Sequence, residues 1–117
     1  MKEVPKDDCR AILTRTREIL SDPDRWTQGA VAVDAKGQSL SSPIYRKAVS
    51  WCLMGACAKA AYDLGLIYDM RSVAHALRPY APSPYEDVTR FNDSRHVTHD
   101  KVLLLIDRSL ERQEEAA

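Results

Sequence analysis

Four sets of residues in this 117-residue chain have the side-chain types that do chemistry or recognition. Cys52, with His75, His96 or His99 as base and Asn92 or Asp93 as orienter, supplies the parts of a cysteine-histidine nucleophile. In such a site an imidazole takes the thiol proton and a third group fixes the ring. Asp93, His96 and His99 follow at three-residue intervals and offer carboxylate oxygen and imidazole nitrogen to a metal. Tyr80, Tyr85 and Phe91 interleave with Arg78, Arg90 and Arg95, a composition that suits protein interfaces and single-stranded nucleic acid alike. Gln28, between Trp26 and Gly29 in a WTQGA segment, can aim a bidentate amide at a ligand or at backbone.

Each group has a plainer structural role. Reactive thiolates need an electropositive, partly exposed setting, often a helix N-terminus. Cys52 falls about ten residues into a helix predicted over Ser42 to Asp63, beside Trp51, Leu53 and Met54, where a thiol packs as a small hydrophobe. Thr98 suits the N-cap of a last helix, which leaves His96 outside it and His99 inside its first turn, so the metal-like spacing loses its common face. No fourth ligand is signalled. Asn92 and Asp93 suit an Asx-turn that gives loop amides their acceptors. We therefore assign no catalytic residue, metal ligand or cofactor, and take Gln28, Tyr85, Arg90, Phe91, Asn92, Asp93 and Arg95 as binding candidates.

The elements that position these residues follow from periodicity. Asp7 and Asp8 suit the cap of a first helix whose inward face is Ile12, Leu13, Thr16, Ile19 and Leu20, broken at Ser21 to Asp24 by proline. Trp26 to Val33, an Asp34 to Gly37 turn and Gln38 to Ser41 read as a β-hairpin. Ser42 and Pro43 read as N-cap and first-turn proline of the central helix, apolar nearly all round. Its small-residue stripe, Ala48, Cys52, Gly55, Ala56 and Lys59, invites close packing by a neighbouring helix. Asp69 suits the cap of a short helix carrying Val73, Ala74 and Leu77, ended by Pro79. Pro79 to Ser94 reads as a loop. Past Thr98, Val102, Leu103, Leu105, Ile106, Ser109 and Leu110 face inward, and Glu111 to Ala117 is expected to fray. The expected fold is a mainly helical α+β domain spanning residues 1 to 117, ordered over about 7 to 112, with four helices around a central apolar one and one β-hairpin.

The order WTQGA, DAKG, WCLMGA, FND and a threonine-capped last helix resembles a family of small bacterial and phage proteins classed as a domain of unknown function, over about Ala11 to Leu110. Members usually carry tryptophan before Asn-Asp, where this chain has Phe91, and often an acidic residue in the turn after the threonine, where it has Asp100 and Lys101. The resemblance implies one domain and a prokaryotic or phage origin, and brings no catalytic residues.

Composition narrows the function classes. Seventeen basic and seventeen acidic residues give zero net charge, without the field that draws a protein to nucleic acid or anionic lipid. A polar N-terminus and short apolar runs predict neither a signal peptide nor a membrane span. Three cysteines predict reduced thiols in the cytosol. The expected function is a small cytosolic binding or regulatory module engaging a protein partner, with self-association compatible and nucleic acid disfavoured. The rivals are a hydrolase or transferase using Cys52 with a histidine, and a nucleotide- or nucleic-acid-binding protein.

Overall fold

The central apolar stretch is not one helix. It begins as an irregular arm, passes through a short strand and becomes helical only at Leu53. Ile44, Tyr45, Val49, Ser50 and Trp51 are all weak helix formers, whereas Leu53 to Ala61 includes Ala56, Ala58, Ala60 and Ala61. Pro43, which also suits a turn, here supplies a carbonyl that accepts from the Trp51 indole N–H at 2.8 Å. The computed structural model describes residues 4–66, 68, 70–77 and 87–115.

Over those residues the helices are α1 (Lys6–Ile19), α2 (Leu53–Asp63), α3 (Met70–Leu77), α4 (Val88–Asp93) and α5 (His99–Glu115). The strands are β1 (Ala32–Val33), β2 (Ser39–Leu40) and β3 (Ser50–Trp51), in the order β2-β1-β3, antiparallel throughout. Ala32 lies opposite both Leu40 and Trp51, and Val33 opposite Ser39 and Ser50. The mainly helical α+β class is as the sequence predicts, with a fifth helix and a third strand added. The hairpin turn is held by the Asp34 carboxylate, which accepts from the Lys36 and Gln38 amides at 2.9 Å each. The first hairpin arm is shorter than predicted, because the chain at Trp26 and Thr27 leaves β1 and meets β3 instead. There the Thr27 N–H donates to the Trp51 carbonyl at 3.0 Å in a parallel bridge.

Two helices follow their sequence faces closely. On α1, Ile12, Leu13, Thr16, Ile19 and the following Leu20 are buried, joined by Cys9. Pro5 holds its cap position, so Asp7 and Asp8 sit in the first turn, where negative charge suits the helix dipole. On α5, Val102, Leu105, Ile106 and Ser109 are buried, and the helix continues to Glu115 where fraying was expected. The buried hydroxyls of Thr16 and Ser109 donate to the carbonyls four residues back, at 2.7 and 2.8 Å, so neither is stranded in the core. On α3, Val73 and Leu77 are buried; Asp69 and Pro79 lie outside the described residues.

The α1 helix packs along both α2 and α5. Arg15 and Lys59 both reach Asp63, at 3.1 and 2.8 Å, and Arg17 reaches Asp107 at 2.9 Å, fastening the three helices at their flanks. Burial alone would raise the Asp63 pKa, but the hydrogen bonds and charges of Lys59 and Arg15 outweigh it and hold the carboxyl below its ordinary value.

At Gly55 the small-residue stripe of α2 serves the close approach of non-helical backbone. A Cβ on Gly55 would stand 1.9 Å from the carbonyl oxygen of Val31, so the bent chain entering β1 crosses α2 with no room for any side chain. Ala48 and Cys52, predicted to lie on the same helical stripe, precede the helix.

An alanine for glycine inside a helix ordinarily stabilises by roughly 0.5–1 kcal/mol. Gly55→Ala should instead destabilise, by about 1–3 kcal/mol or more, since backbone must move. Urea unfolding showing a gain in stability would remove the close crossing. For Asp63, whose folded pKa is lowered, the stabilisation is complete above the unfolded value near 3.9 and lost as pH falls through the folded one. Asp63→Asn should therefore be less stable than the parent at neutral pH and converge with it in acid, as read by denaturant melts across the pH range.

Candidate functional site

Two of the predicted binding residues, Gln28 and Asp93, meet a third, Asn92, which is 1% exposed near the end of α4. That helix starts at Asp87, whose carboxylate accepts from the Thr89 and Arg90 amides at 2.8 and 3.2 Å. Its apolar residues Val88 and Phe91 turn into the core, and Asn92 follows them. This corrects the reading of Pro79 to Ser94 as continuous loop: residues 88–93 are helical, and 78–86 lie outside the described residues.

The amide of Asn92 is fully used. Its Oδ1 accepts from the Trp26 indole N–H at 2.7 Å and from the Leu53 backbone N–H at 2.9 Å. Its Nδ2 donates to the Thr27 carbonyl at 3.1 Å and to Asp93 Oδ1 at 2.9 Å. Two donors face one end and two acceptors the other, so the orientation is fixed by chemistry, and an amide has no further capacity.

Gln28 and Asp93 extend this knot outward. Gln28 Nε2 donates to the carbonyls of Asn92 and Ser94, both at 2.8 Å, and Asp93 Oδ1 accepts from the Gly29 amide at 2.9 Å. Gly29 has φ +81, a conformation in which L side chains are strained. The WTQG and FND segments, which the sequence offers as separate features, are therefore one hydrogen-bonded unit. Of the two roles open to Gln28, backbone is the one its amide nitrogen takes here.

The same unit reaches the start of α2. Leu53 N–H is one of the orphan donors of that helix, and Asn92 supplies its acceptor. Cys52, at the N-cap, accepts from the Gly55 N–H at 3.2 Å. This corrects the placement of Cys52 in mid-helix, since the helix starts one residue later. The helix terminus does not activate the thiol, which is 6% exposed. Burial pushes its pKa up, the Gly55 and Met54 amides pull it back only in part, and the charge of Asp93 adds to the rise. Cys57, fully enclosed, is pushed up to about 12 by burial, which the neighbouring Thr16 side chain offsets only in part. Cys9, Cys52 and Cys57 are all buried, and no disulfide joins them.

The histidines stand elsewhere. His99, in the first turn of α5, reaches the Leu20 carbonyl through Nε2, with its ring 6.3 Å from that of Trp26. His96 and His75 are exposed. No hydrogen bond joins any of the three to Cys52. Among the described residues no group of three or more histidine, cysteine or acidic side chains could hold a metal ion, so Asp93, His96 and His99 are not brought together as ligands.

Of the remaining candidates, Phe91 is a core residue at 3% exposure, Arg90 and Arg95 are exposed, and Tyr85 lies outside the described residues. Arg90 and Arg95 form no ion pair with a described residue. Sequence reasoning missed the Trp26 to Asn92 bond, although a buried indole N–H next to a small-residue turn is itself a demand for a distant acceptor. It also missed Tyr68, whose hydroxyl donates to Asp8 at 2.6 Å; that bond raises the phenol's pKa.

The chain belongs to a family of unknown function, DUF6197, which it matches over residues 5–112. No curated protein and no solved structure matches it.

Asn92→Ala should strand the Trp26 and Leu53 donors together, at about 1–3 kcal/mol for each buried group left unmet. Asn92→Asp keeps the acceptor but turns negative charge toward Asp93 and the Thr27 carbonyl, so it should also lose stability at neutral pH and recover part of it in acid. Thermal melts at two pH values read both, and a parent-like Asn92→Ala melt would show the amide to be dispensable.

Proposed function

We propose that this is a small cytosolic binding module of bacterial or phage origin that acts by engaging a protein partner, in a regulatory role. One observation supports the reading above the others. The polar groups best suited to act on a substrate, Asn92, Asp93, Gln28 and Cys52, are committed to backbone donors and acceptors inside the protein. That commitment fixes α4 and the turn after it against the WTQG segment, and leaves Arg90 and Arg95 displayed on a rigid support. Arginine on a rigid support is a favourable interface anchor, because little side-chain freedom remains to be lost. Tyr85, two residues before the α4 cap, belongs to the same stretch of chain. Three unbridged cysteines accord with a reducing compartment.

A cysteine-nucleophile enzyme ranks below this reading because Cys52 is buried, has a raised pKa and has no histidine bonded to it. Nucleic acid ranks below it because the net charge is zero.

The immobilised protein should retain a specific protein from a lysate of its native host. A variant carrying Arg90→Ala and Arg95→Ala should retain it at least about tenfold more weakly while melting like the parent. Undiminished retention by the double variant would remove this surface from the interface. Retention of nucleic acid in its place, weakened by salt, would transfer the protein to the third class.

A further inference from the structure

Residues 41–49, the arm between β2 and β3, combine apolar exposure with unbalanced charge. Ile44, Tyr45 and Val49 are 41%, 51% and 46% exposed, and they make up three of the six large hydrophobic residues exposed among those described. Between them stand Arg46 and Lys47, both exposed and neither paired with a described acid. From Ala35 to Tyr62 the sequence has no aspartate or glutamate, yet it holds Lys36, Arg46, Lys47 and Lys59. Of the flanking acids, Asp63 is paired with Arg15 and Lys59, and Asp34 is turned into its own hairpin turn by the Lys36 and Gln38 amides and pairs with neither Arg46 nor Lys47.

The arm is also held in shape. Pro43 accepts from the Trp51 indole at 2.8 Å, the Ile44 amide donates to Ser42 Oγ at 3.3 Å, Ala48 N–H to the Tyr45 carbonyl at 3.0 Å, and Val49 N–H to the Val33 carbonyl at 2.9 Å. Trp51, to which the arm is tied, is buried, while Ile44, Tyr45 and Val49 stay exposed. A fixed apolar surface with uncompensated positive charge is complementary to a segment that is acidic and carries a bulky apolar side chain.

We propose that this arm is a docking surface for an acidic segment of a partner protein, with Tyr45 packing against an aliphatic or aromatic side chain and Arg46 and Lys47 facing flanking carboxylates. The proposal rests on the binding-module reading and adds a contact separate from Arg90 and Arg95. A membrane is the weaker occupant, because two basic side chains give an anionic lipid surface little hold without a lipid anchor or a longer basic cluster.

The test pans a random peptide library displayed on phage against the full chain and measures binding of the tightest synthetic peptide by fluorescence anisotropy. Enriched peptides should carry acidic residues around a bulky apolar one. Their affinity should fall at least about tenfold in Tyr45→Ala and in the pair Arg46→Glu with Lys47→Glu, and fall with added salt, while both variants melt like the parent. Peptides lacking acids, acidic peptides that bind the variants as tightly as the parent, or no enrichment at all would overturn the arm. Those outcomes leave the binding-module reading standing if the native partner is still retained through Arg90 and Arg95. Binding to phosphatidylserine and phosphatidylcholine vesicles that the charge-reversed variant loses would overturn it in favour of a lipid surface.

Discussion

The primary amide of Asn92 is the interaction on which the arrangement of this protein depends. It joins three parts of the chain: the indole of Trp26 and the carbonyl of Thr27 beside the sheet, the first amide of α2, and α4 through its own backbone. Each bond contributes modestly net, about 0.5–1.5 kcal/mol, because water would satisfy the same groups in the unfolded chain. The asymmetry matters more. At 1% exposure, an amide displaced from this geometry leaves donors and acceptors unmet on several elements at once, so the hub selects one arrangement more than it adds stability.

The other constraint is steric. Val31 and Gly55 bring the chain entering β1 and α2 to a separation that no side chain at residue 55 could tolerate. The two constraints act at the same end of α2, since Gly55 also donates to Cys52 and the adjoining Leu53 amide is met by Asn92. The sheet, the start of α2 and α4 are thereby indexed to one another, with the long helices α1 and α5 packed as the apolar support behind them.

What the sequence made legible was whatever depends on neighbours in the chain. The inward faces of α1 and α5 follow from spacing, the Asp34 turn follows from a carboxylate two and four residues ahead of the amides it serves, and the α+β class follows from both. The break in the central apolar stretch was not legible, because Pro43 fits a turn as readily as a first helical turn and the cap at Cys52 is a thiol, outside the usual set of capping side chains. The short α4 was hidden in a proline-rich segment, although Asp87 with Val88 and Phe91 spaced three apart gives a cap and a face in retrospect. Gln28, Asn92 and Asp93 were recognisable as polar residues with a task, but their partners lie far away in sequence, which local pattern does not encode. Nothing in a residue's type says that the task of Asn92 is to hold Trp26.

That separation has a kinetic meaning. Trp26 and Asn92 are 66 residues apart, and Asn92 and Leu53 are 39 apart, so the hub closes long loops and raises the protein's contact order. The hairpin about Asp34 needs only local closure and can organise early. During synthesis the N-terminus of α2 has no carboxamide acceptor until Asn92 has left the ribosome, by which time most of the chain has been made. Until then the apolar residues of α2 and β3 lack α4 against which to settle, and an incomplete chain exposes them to aggregation and to chaperones. A truncation that loses Asn92 thus removes a contact that earlier segments wait for, and its cost falls on residues far upstream of the cut.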